Sequence, residues 1–428
     1  MQPSEYKQVI RELSDAIVIA QKPIRILDAI KWGKDVQEHF FKHKFKKLPH
    51  ISPEYYQEND PLQFDPLKKI AEFHEIERNI RRRLGQYSGV GSIMQRMCHE
   101  YTRVVEMLMS RGSPRFTEIS QELYGSSEDA FHAGAPTLRD LAALITNTLA
   151  NIKDQVATDA DKKIYSSEEA VKFLSEKLSN YFGEKNNIRV EVSDGIIADA
   201  SAGAERIKIN SGIKFSEREI RSLEVHEGWV HLGTTLNGLA QPVCTFLGKG
   251  PPSSTITQEG LAIISEVFTF ASYPGRLKRL TNRIITVNMA EEGANFLDVF
   301  NFYLSQGMNE TESYHAASRV FRGSTPDGGP FTKDLSYSKG FVLIYNYIRL
   351  AVQKGLVHNI PLLFLGKTTL EDLHILKDLV EEGIVIPPKY IPPQFADLAA
   401  LSAWMCYSLF LNKLDLRQLA IDFKAILQ

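Results

Sequence analysis

The chain has 428 residues, enough for two or three domains at about 150 residues each. Hydrophobic residues make up 43% and charged residues 24%, a composition typical of globular proteins that excludes wholesale disorder and fibrous repeats. The 50 Lys and Arg residues are balanced by 52 Asp and Glu residues, so no excess of positive charge points to a nucleic-acid partner.

Three features of the sequence indicate the cellular compartment in which the protein works. The cysteines, Cys98, Cys244 and Cys406, are far apart and odd in number, so they predict neither a disulfide framework nor a cysteine-based metal site. The N-terminal segment lacks a basic region followed by an apolar core, so no secretory signal is expected. The most apolar stretch, residues 341–352, is interrupted by polar residues and is too short to span a bilayer. We therefore expect a cytoplasmic protein without a membrane partner.

The first part of the chain is expected to be helical. Apolar residues recur at helical spacing through residues 1–150, which we assign to a helical N-terminal region, followed by a second region over residues 151–428. Ser166 and Glu169 form a capping-box pattern, which predicts the start of a helix. That helix is expected to end near Gly183, because glycine commonly terminates helices.

A short β-region follows. Alternation of apolar and polar residues over 188–192 and 206–209 predicts strands, and a further apolar run lies at residues 196–197. We expect these strands to pair antiparallel. A second capping box, at Ser216 and Glu219, then predicts another helix. The predicted fold class is mainly α with a small antiparallel β-sheet.

The C-terminal half is expected to be helical again. The pattern predicts a helix from Thr255 to about Phe270 and a long helical stretch to about Val320. Residues 323–340 are rich in Gly and Pro, which predicts a loop leading into an apolar helix from Phe341.

The strongest chemical signal is the sequence HEGWVH over residues 226–231, an HExxxH pattern. Two imidazoles and a carboxylate are the groups that zinc hydrolysis needs: His226 and His231 would supply neutral nitrogen ligands, and Glu227 would act as general base on the attacking water. Strands precede this helix, and zinc peptidases use a neighbouring strand to hold an extended peptide by backbone pairing.

The spacing of the two histidines conflicts with a regular α-helix. Residues four apart lie about 40° apart around the helix axis, whereas residues five apart lie about 140° apart. Both histidines can face one ion only if the helix gains a residue locally, as in a π-bulge, and such bulges favour functional sites. Because Gly228 and Gly233 ease this distortion, we predict a bulged helix over residues 228–230.

A third ligand is required, since two imidazoles alone make a weak site. Glu259 is the best candidate, because we expect it in the first turn of the next helix, facing the histidines. Glu266 falls on nearly the same helix face as Glu259. We expect Glu266 to accept a hydrogen bond from a ligand imidazole, or to replace Glu259 as the ligand.

Several segments together resemble the QEGLA-motif family. They are the HExxxH pattern at residues 226–231, the sequence QEGLA at residues 258–262, and the segments 116–125 and 331–340. The bacterial members of this family are named as flavohaemoglobin-expression-modulating proteins, and its animal members are microtubule-associated tyrosine carboxypeptidases. The resemblance extends from about residue 10 to the C-terminal end.

The resemblance implies a zincin-like metallopeptidase core over residues 151–428. It implies that His226, His231 and Glu259 bind Zn²⁺ and that Glu227 is catalytic. It also implies carboxypeptidase chemistry, with the C-terminus of a peptide or protein as the substrate.

The remaining site residues are hypotheses from chemistry. A carboxypeptidase must bind a terminal carboxylate, and an arginine fork does so through two parallel hydrogen bonds. Arg319 and Arg322 are candidates, with Lys333 as another. Tyr337 could donate its phenol to the oxyanion of the transition state.

Two alternatives stay open at this stage. The first is a zinc-binding regulatory protein without peptidase activity, although a purely structural site has no use for the unliganded base Glu227. The second is an exopeptidase of the dipeptidyl-peptidase type, which also uses HExxxH. Those enzymes pair it with Glu-Glu-x-x-x-Asp/Glu, whereas here the motif reads Gln258-Glu259 and continues with apolar residues.

Overall fold

The computed structural model describes residues 2–59, 61–152, 159–183, 188–194, 199–203 and 206–426. The chain is mainly helical, as its patterning predicts. The apolar run at residues 196–197 lies outside the described residues. Among the helices of the described residues, none combines the length and apolar character that crossing a bilayer requires.

The helices before the sheet are α1 (Pro3–Gln21), α2 (Ile26–Ala29), α3 (Lys34–Lys42), α4 (Pro53–Glu58), α5 (Pro66–Leu84), α6 (Gly89–Met109), α7 (Pro114–Tyr124), α8 (Leu138–Ile152) and α9 (Ser167–Phe182). The strands are β1 (Arg189–Ser193), β2 (Ala200–Ala202) and β3 (Arg206–Asn210). Short 3₁₀ segments lie at Asp159–Asp161, Thr245–Gly248, Thr332–Leu335 and Val357–Phe364.

The helices after the sheet are α10 (Glu217–Leu223), α11 (Gly233–Leu239), α12 (Pro252–Phe268), α13 (Pro274–Glu291), α14 (Phe296–Ser305), α15 (Glu310–Phe321), α16 (Ser336–Gln353), α17 (Leu373–Glu381), α18 (Pro393–Ala396), α19 (Leu398–Leu411) and α20 (Leu416–Asp422). A π-helix, Glu224–Leu232, joins α10 to α11.

The N-terminal helices share a core with the helices of the second half of the chain. Ile10 of α1, Ile80 of α5 and Met94 of α6 are buried in one cluster with Ile264 of α12 and Ile348 of α16. The amphipathic pattern of the N-terminal sequence is therefore satisfied by packing against the helices that carry the QEGLA sequence and the segment after it.

The sheet is mixed, so the prediction of an antiparallel sheet is wrong. Its strand order is β1-β3-β2: β3 pairs parallel to β1 and antiparallel to β2. The prediction assumed that strands consecutive in the sequence pair as hairpins. Instead β3 inserts between β1 and β2, so two strands that run in the same direction become neighbours.

The sheet packs against the helix that carries the HExxxH pattern. Ile207 and Ile209 of β3 are fully buried and contact the cluster formed by Leu174 and Leu178 of α9 and Leu232 of the π-helix. The capping boxes predicted at Ser166 and Ser216 are confirmed: each serine hydroxyl accepts a hydrogen bond from the backbone N–H three residues later.

Two helix starts differ from the prediction. Helix α12 begins at Pro252, because proline fits the first helical position, where no N–H partner is needed. Glu259 therefore lies in the middle of α12 and not in its first turn. Residues 323–340 are not all loop: Thr332–Leu335 form a 3₁₀ turn, held to α7 by a 2.8 Å hydrogen bond from the Thr332 N–H to Ser120 Oγ, and α16 starts at Ser336.

Helices α12 and α16 approach each other closely through two glycines. A Cβ on Gly260 would lie 2.3 Å from the backbone carbon of Gly340, and a Cβ on Gly340 would lie 2.0 Å from the carbonyl oxygen of Ile256. Only glycine permits this backbone contact. The crossing fixes Glu259, which precedes Gly260, against the start of α16.

We predict that Gly340→Ala lowers the free energy of unfolding by about 1–3 kcal/mol, since the added methyl group must push the two helices apart. Urea unfolding measures the change. The control is Gly212→Ala in an exposed turn, where a Cβ would have its nearest neighbour, Asn210 Oδ1, at 3.7 Å. Equal stability of the two variants would show that the helix crossing is not tightly constrained.

Candidate metal centre

The two histidines of the HExxxH pattern lie on a π-helix. The segment Glu224–Leu232 continues α10 and runs directly into α11, with right-handed helical backbone angles at both junctions. The predicted distortion is confirmed, and it extends beyond residues 228–230. Its i→i+5 hydrogen bonding brings residues five apart onto one face.

Neighbouring side chains support the distorted segment. A Cβ on Gly228 would lie 2.3 Å from Leu178 Cδ2, so this glycine lets α9 pack closely against the π-helix. The carbonyl oxygen of His231 accepts hydrogen bonds from Thr235 Oγ1 at 2.7 Å and from Lys367 Nζ at 3.0 Å. These two donors tie the end of the π-helix to α11 and to the segment that carries Lys367.

His226, His231 and Glu259 converge. Glu259 Oε2 lies 3.3 Å from the Nε2 atoms of both histidines, and one ligand atom from each of the three residues falls within 4.8 Å of the others. The imidazole centroids are 4.8 Å apart and the rings are nearly perpendicular, at 85°. Glu259 Oε2 is buried and makes no hydrogen bond among the described residues. The two Nε2 atoms and Glu259 Oε2 therefore face a common point without a hydrogen bond that would hold them there.

This donor set fits a divalent metal ion. Two imidazole nitrogens and one carboxylate oxygen are a ligand set typical of catalytic zinc, which leaves a further position for water or substrate. Without the ion, burial disfavours the charged form of His226, but Glu259 and Glu266 outweigh it and raise the pKa of His226 to about 10. The proton and a metal ion compete for the same nitrogen, so the carboxylates that hold the proton also favour a cation there.

Glu266 supports the first histidine from behind. His226 Nδ1 lies 2.6 Å from Glu266 Oε1, so the contact predicted between Glu266 and a ligand imidazole is present. Arg276 donates to the same carboxylate from Nε at 3.1 Å and from Nη2 at 2.9 Å. Burial would raise the pKa of Glu266, but Arg276 and His226 lower it to about 2, so the carboxylate stays ionised.

The carboxylate of Glu227 is held by the sheet. Its Oε2 accepts a 2.8 Å hydrogen bond from the backbone N–H of Ala202 in β2. Because β2 contacts the π-helix, the edge of the sheet fixes the direction of the side chain that the sequence predicts as general base.

Tyr337 lies beside the histidines. Its ring stacks near His226, with centroids 6.2 Å apart and an angle of 23° between the planes. The guanidinium of Arg283 lies over the ring of Tyr337, 4.4 Å from its centroid. The first turn of α16 therefore brings a phenol next to the imidazole of His226, although the sequence pattern predicts a loop there.

The three basic candidates differ in what they contact. Arg319 donates to Asp334 from Nε at 2.9 Å and from Nη2 at 2.8 Å, so this fork is already occupied by a carboxylate. Arg322 is buried over the ring of Phe331 at 5.3 Å, and burial together with Arg319 lowers its pKa to about 10. Lys333 Nζ lies 3.7 Å from Glu259 Oε1, which places its charge next to the candidate metal ligands.

Sequence reasoning missed two residues of this centre. Arg276 lies ten residues after Glu266 in the sequence, at the start of α13, and belongs to no motif. Lys367 lies more than a hundred residues beyond the HExxxH pattern and donates to Gln258 Oε1 as well as to the His231 carbonyl. No local pattern reveals either contact, because both form only when separate elements of the fold pack together.

Comparison with known proteins decides the family. The model of the microtubule-associated tyrosine carboxypeptidase family matches residues 38–413, which include every residue of the candidate metal centre. The chain belongs to this family. The resemblance noted from the QEGLA and HExxxH sequences is thereby confirmed. A search of the curated proteins found no match. As a member of the tyrosine carboxypeptidase family, the chain carries its QEGLA glutamate, Glu259, at the centre of the converging ligand atoms.

We predict that Glu266→Gln weakens Zn²⁺ binding by about 10–100-fold, because the amide removes the negative charge behind His226. Competition against a chromophoric chelator measures the affinity, and circular dichroism checks the fold. The control is Glu128→Gln, which removes a surface carboxylate that pairs with Arg139 at 2.7 Å. A folded Glu266→Gln variant with wild-type affinity would show that this carboxylate does not tune the ligand.

Proposed function

We propose that the chain is a Zn²⁺-dependent carboxypeptidase that releases the C-terminal residue of a peptide or protein. The family name favours tyrosine as that residue. The observation that carries the proposal is the pairing of a buried His/His/Glu ligand set with a lysine ammonium only 3.7 Å from its carboxylate.

The position of Lys333 suits an exopeptidase. The ammonium of Lys333 lies beside the candidate metal ligands, 3.7 Å from Glu259 Oε1, and one extended residue spans only about 3.3–3.6 Å of chain. A terminal carboxylate bound by Lys333 would therefore leave the preceding peptide bond at His226, His231 and Glu259. Lys333 is preferred over Arg319, because the Arg319 fork makes two hydrogen bonds of 2.9 and 2.8 Å to Asp334, whereas the ion pair of Lys333 with Glu259 is longer, at 3.7 Å.

In the proposed reaction, each residue of the centre has a separate role in hydrolysis of the peptide bond. A bound Zn²⁺ would supply Lewis acidity and lower the pKa of water to about 7. Glu227, oriented by the Ala202 N–H, accepts the proton of the attacking water and delivers it to the leaving amine. Tyr337 stands beside His226 and offers a phenolic O–H to the developing oxyanion.

We expect Glu227→Gln to keep Zn²⁺ binding and to lower kcat by at least about 10²–10⁴-fold, since the amide cannot accept the proton. Release of C-terminal residues from a peptide library, measured by mass spectrometry with metal content determined in parallel, tests this. The control is Glu224→Gln on the same π-helix, whose carboxylate binds Lys177 Nζ at 2.6 Å. Full zinc occupancy without release of any residue by the wild-type protein would favour the alternative of a zinc-binding regulatory protein.

We expect Lys333→Met to lower kcat/KM for peptides with a free C-terminal carboxylate by about 10–100-fold, the loss that follows from removing a charge-assisted hydrogen bond. C-terminally amidated peptides should be poor substrates of both proteins, and the variant should not lose further activity on them. Lys339→Met, which removes a lysine that binds Asp129 at 2.8 Å, is the matched control. An equal loss on free and amidated peptides would remove Lys333 from carboxylate recognition.

A further inference from the structure

Helix α19 is apolar on two opposite sides. On its inner side, Leu401 and Met405 are buried in one cluster with Ile348 of α16. Ser408, also buried, has its Oγ 2.5 Å from Tyr345 Oη of α16, so this side is fixed to the core. Helices that are apolar all round are normally enclosed by other elements. The outer side of α19 therefore has the character of a second contact surface.

The outer side of α19 carries a heptad stripe. The stripe consists of Ala400, Trp404, Tyr407, Leu411 and Leu414, which follow one another at alternate spacings of four and three residues. The last of them lies in the turn after the helix. This spacing is the one at which helices pair in coiled coils. Tyr407 is 73% exposed and Trp404 is 49% exposed. The pattern is therefore that of a helix–helix contact, but its side chains remain open to solvent.

Helix α20 carries a second apolar stripe that is not covered. Leu416, Leu419 and Phe423 follow one another at spacings of three and four residues, so they lie on one side of the helix and of the residue that ends it. The structure describes all seven residues of α20, and none of them is buried. Leu416 is 77% exposed. Because so short a helix is marginal in water by itself, α20 requires a surface on which to pack.

The two stripes together, which we call the C-terminal apolar face, have the area of a stable interface. Six of their large side chains are between 40% and 77% exposed: Trp404, Tyr407, Leu411, Leu414, Leu416 and Phe423. At about 150–250 Å² for each such side chain, they leave about 500–800 Å² of apolar surface on one copy. The largest apolar patch on a typical monomer is about 300–600 Å², and a standard interface takes about 800 Å² from each partner.

The charge of the face favours a second copy of the chain as its partner. No charged residue lies between Asp397 and Lys413. A two-fold interface places identical surfaces against each other, so an excess of either sign would repel itself. Binding to an anionic membrane would instead need a polar side rich in Lys and Arg. Over residues 397–424 three acidic residues balance three basic ones, namely Asp397, Asp415 and Asp422 against Lys413, Arg417 and Lys424.

We propose that the chain forms a two-fold symmetric homodimer in which the C-terminal apolar face of one copy packs against the same face of the other. Each α20 then gains the apolar surface that it lacks, and each α19 stripe gains helical neighbours. The inference goes beyond the proposed peptidase function, since the face shares no residue with the candidate metal centre. The dimer is therefore expected with and without Zn²⁺ and in the absence of substrate.

The mass of the full chain in solution is the first test. Sedimentation equilibrium at micromolar concentrations should give twice the 48.3 kDa of one chain. We expect Tyr407→Asp to weaken the dimer by at least about 100-fold, because loss of a central interface tyrosine commonly costs more than tenfold and a symmetric dimer loses it twice. The matched control is Tyr87→Asp, since Tyr87 is 95% exposed in the turn between α5 and α6.

A second variant tests the contribution of α20. Leu416→Asp should also convert the dimer to a monomer, because it places a charge in the apolar stripe of α20. Its control is Leu67→Asp, which changes a leucine that is 69% exposed in the first turn of α5. Circular dichroism and thermal unfolding check that all four variants fold. Zn²⁺ affinity should be the same in the monomeric variants and in the controls.

Cys406 is a natural probe of the location of the interface. It is exposed, whereas Cys98 and Cys244 are buried, and it precedes Tyr407 on α19. A bismaleimide with a flexible spacer long enough to span the face should join two copies through this thiol. We expect a covalent dimer on a denaturing gel, and we expect Cys406→Ser and Tyr407→Asp each to abolish it.

The outcomes decide between the possible partners of the face. A wild-type chain that remains monomeric at every concentration overturns the proposal. A dimer that persists in both Tyr407→Asp and Leu416→Asp also overturns it, because the interface then lies elsewhere. Sedimentation of a monomeric wild-type chain with phosphatidylcholine–phosphatidylglycerol vesicles, lost in Tyr407→Asp, would assign the face to a membrane surface instead. None of these measurements depends on peptidase activity, so the homodimer and the proposed function fail or stand separately.

Discussion

The spacing of five residues between His226 and His231 is the constraint on which the centre depends. In a regular helix the two imidazoles would point about 140° apart, and the ligand set could not form. The π-helix Glu224–Leu232 removes this conflict. Thr235 and Lys367 donate hydrogen bonds to the carbonyl oxygen of His231 near the end of this segment. The arrangement of the two histidines is therefore supported both by a neighbouring threonine and by a lysine more than a hundred residues away.

Around the candidate metal ligands, each buried charged group contacts a group of opposite charge. His226 contacts Glu266, which binds Arg276, and on the other side Lys333 approaches Glu259. In a low-dielectric interior an unpaired charge is costly, so each group fixes the ionisation of the next. Asp334 and Arg319 form a separate pair near Tyr337. This arginine fork, which the sequence offers for a substrate carboxylate, therefore binds a carboxylate of the protein itself.

The sequence predicted what depends on local rules. The capping boxes at Ser166 and Ser216 use contacts within one turn, and the distorted helix follows from the angle between His226 and His231 alone. The order of the strands could not be predicted from local sequence, because β3 inserts between two strands that precede it in the chain. Likewise, nothing near Arg276 in the sequence marks it as a partner of Glu266, since that contact arises only when α12 and α13 pack.

The hydrogen bond between Ala202 and Glu227 also limits how β2 can be used. In β2 the N–H groups of Ser201 and its alternate neighbours face β3, so the Ala202 N–H points away from the sheet along its free edge. While the Ala202 N–H donates to Glu227, it cannot donate a backbone hydrogen bond to a polypeptide that lies along this edge. Strand addition there and the anchoring of this carboxylate exclude each other. A peptide that paired with β2 along its whole length would take the Ala202 N–H as a donor, and Glu227 would lose this hydrogen bond.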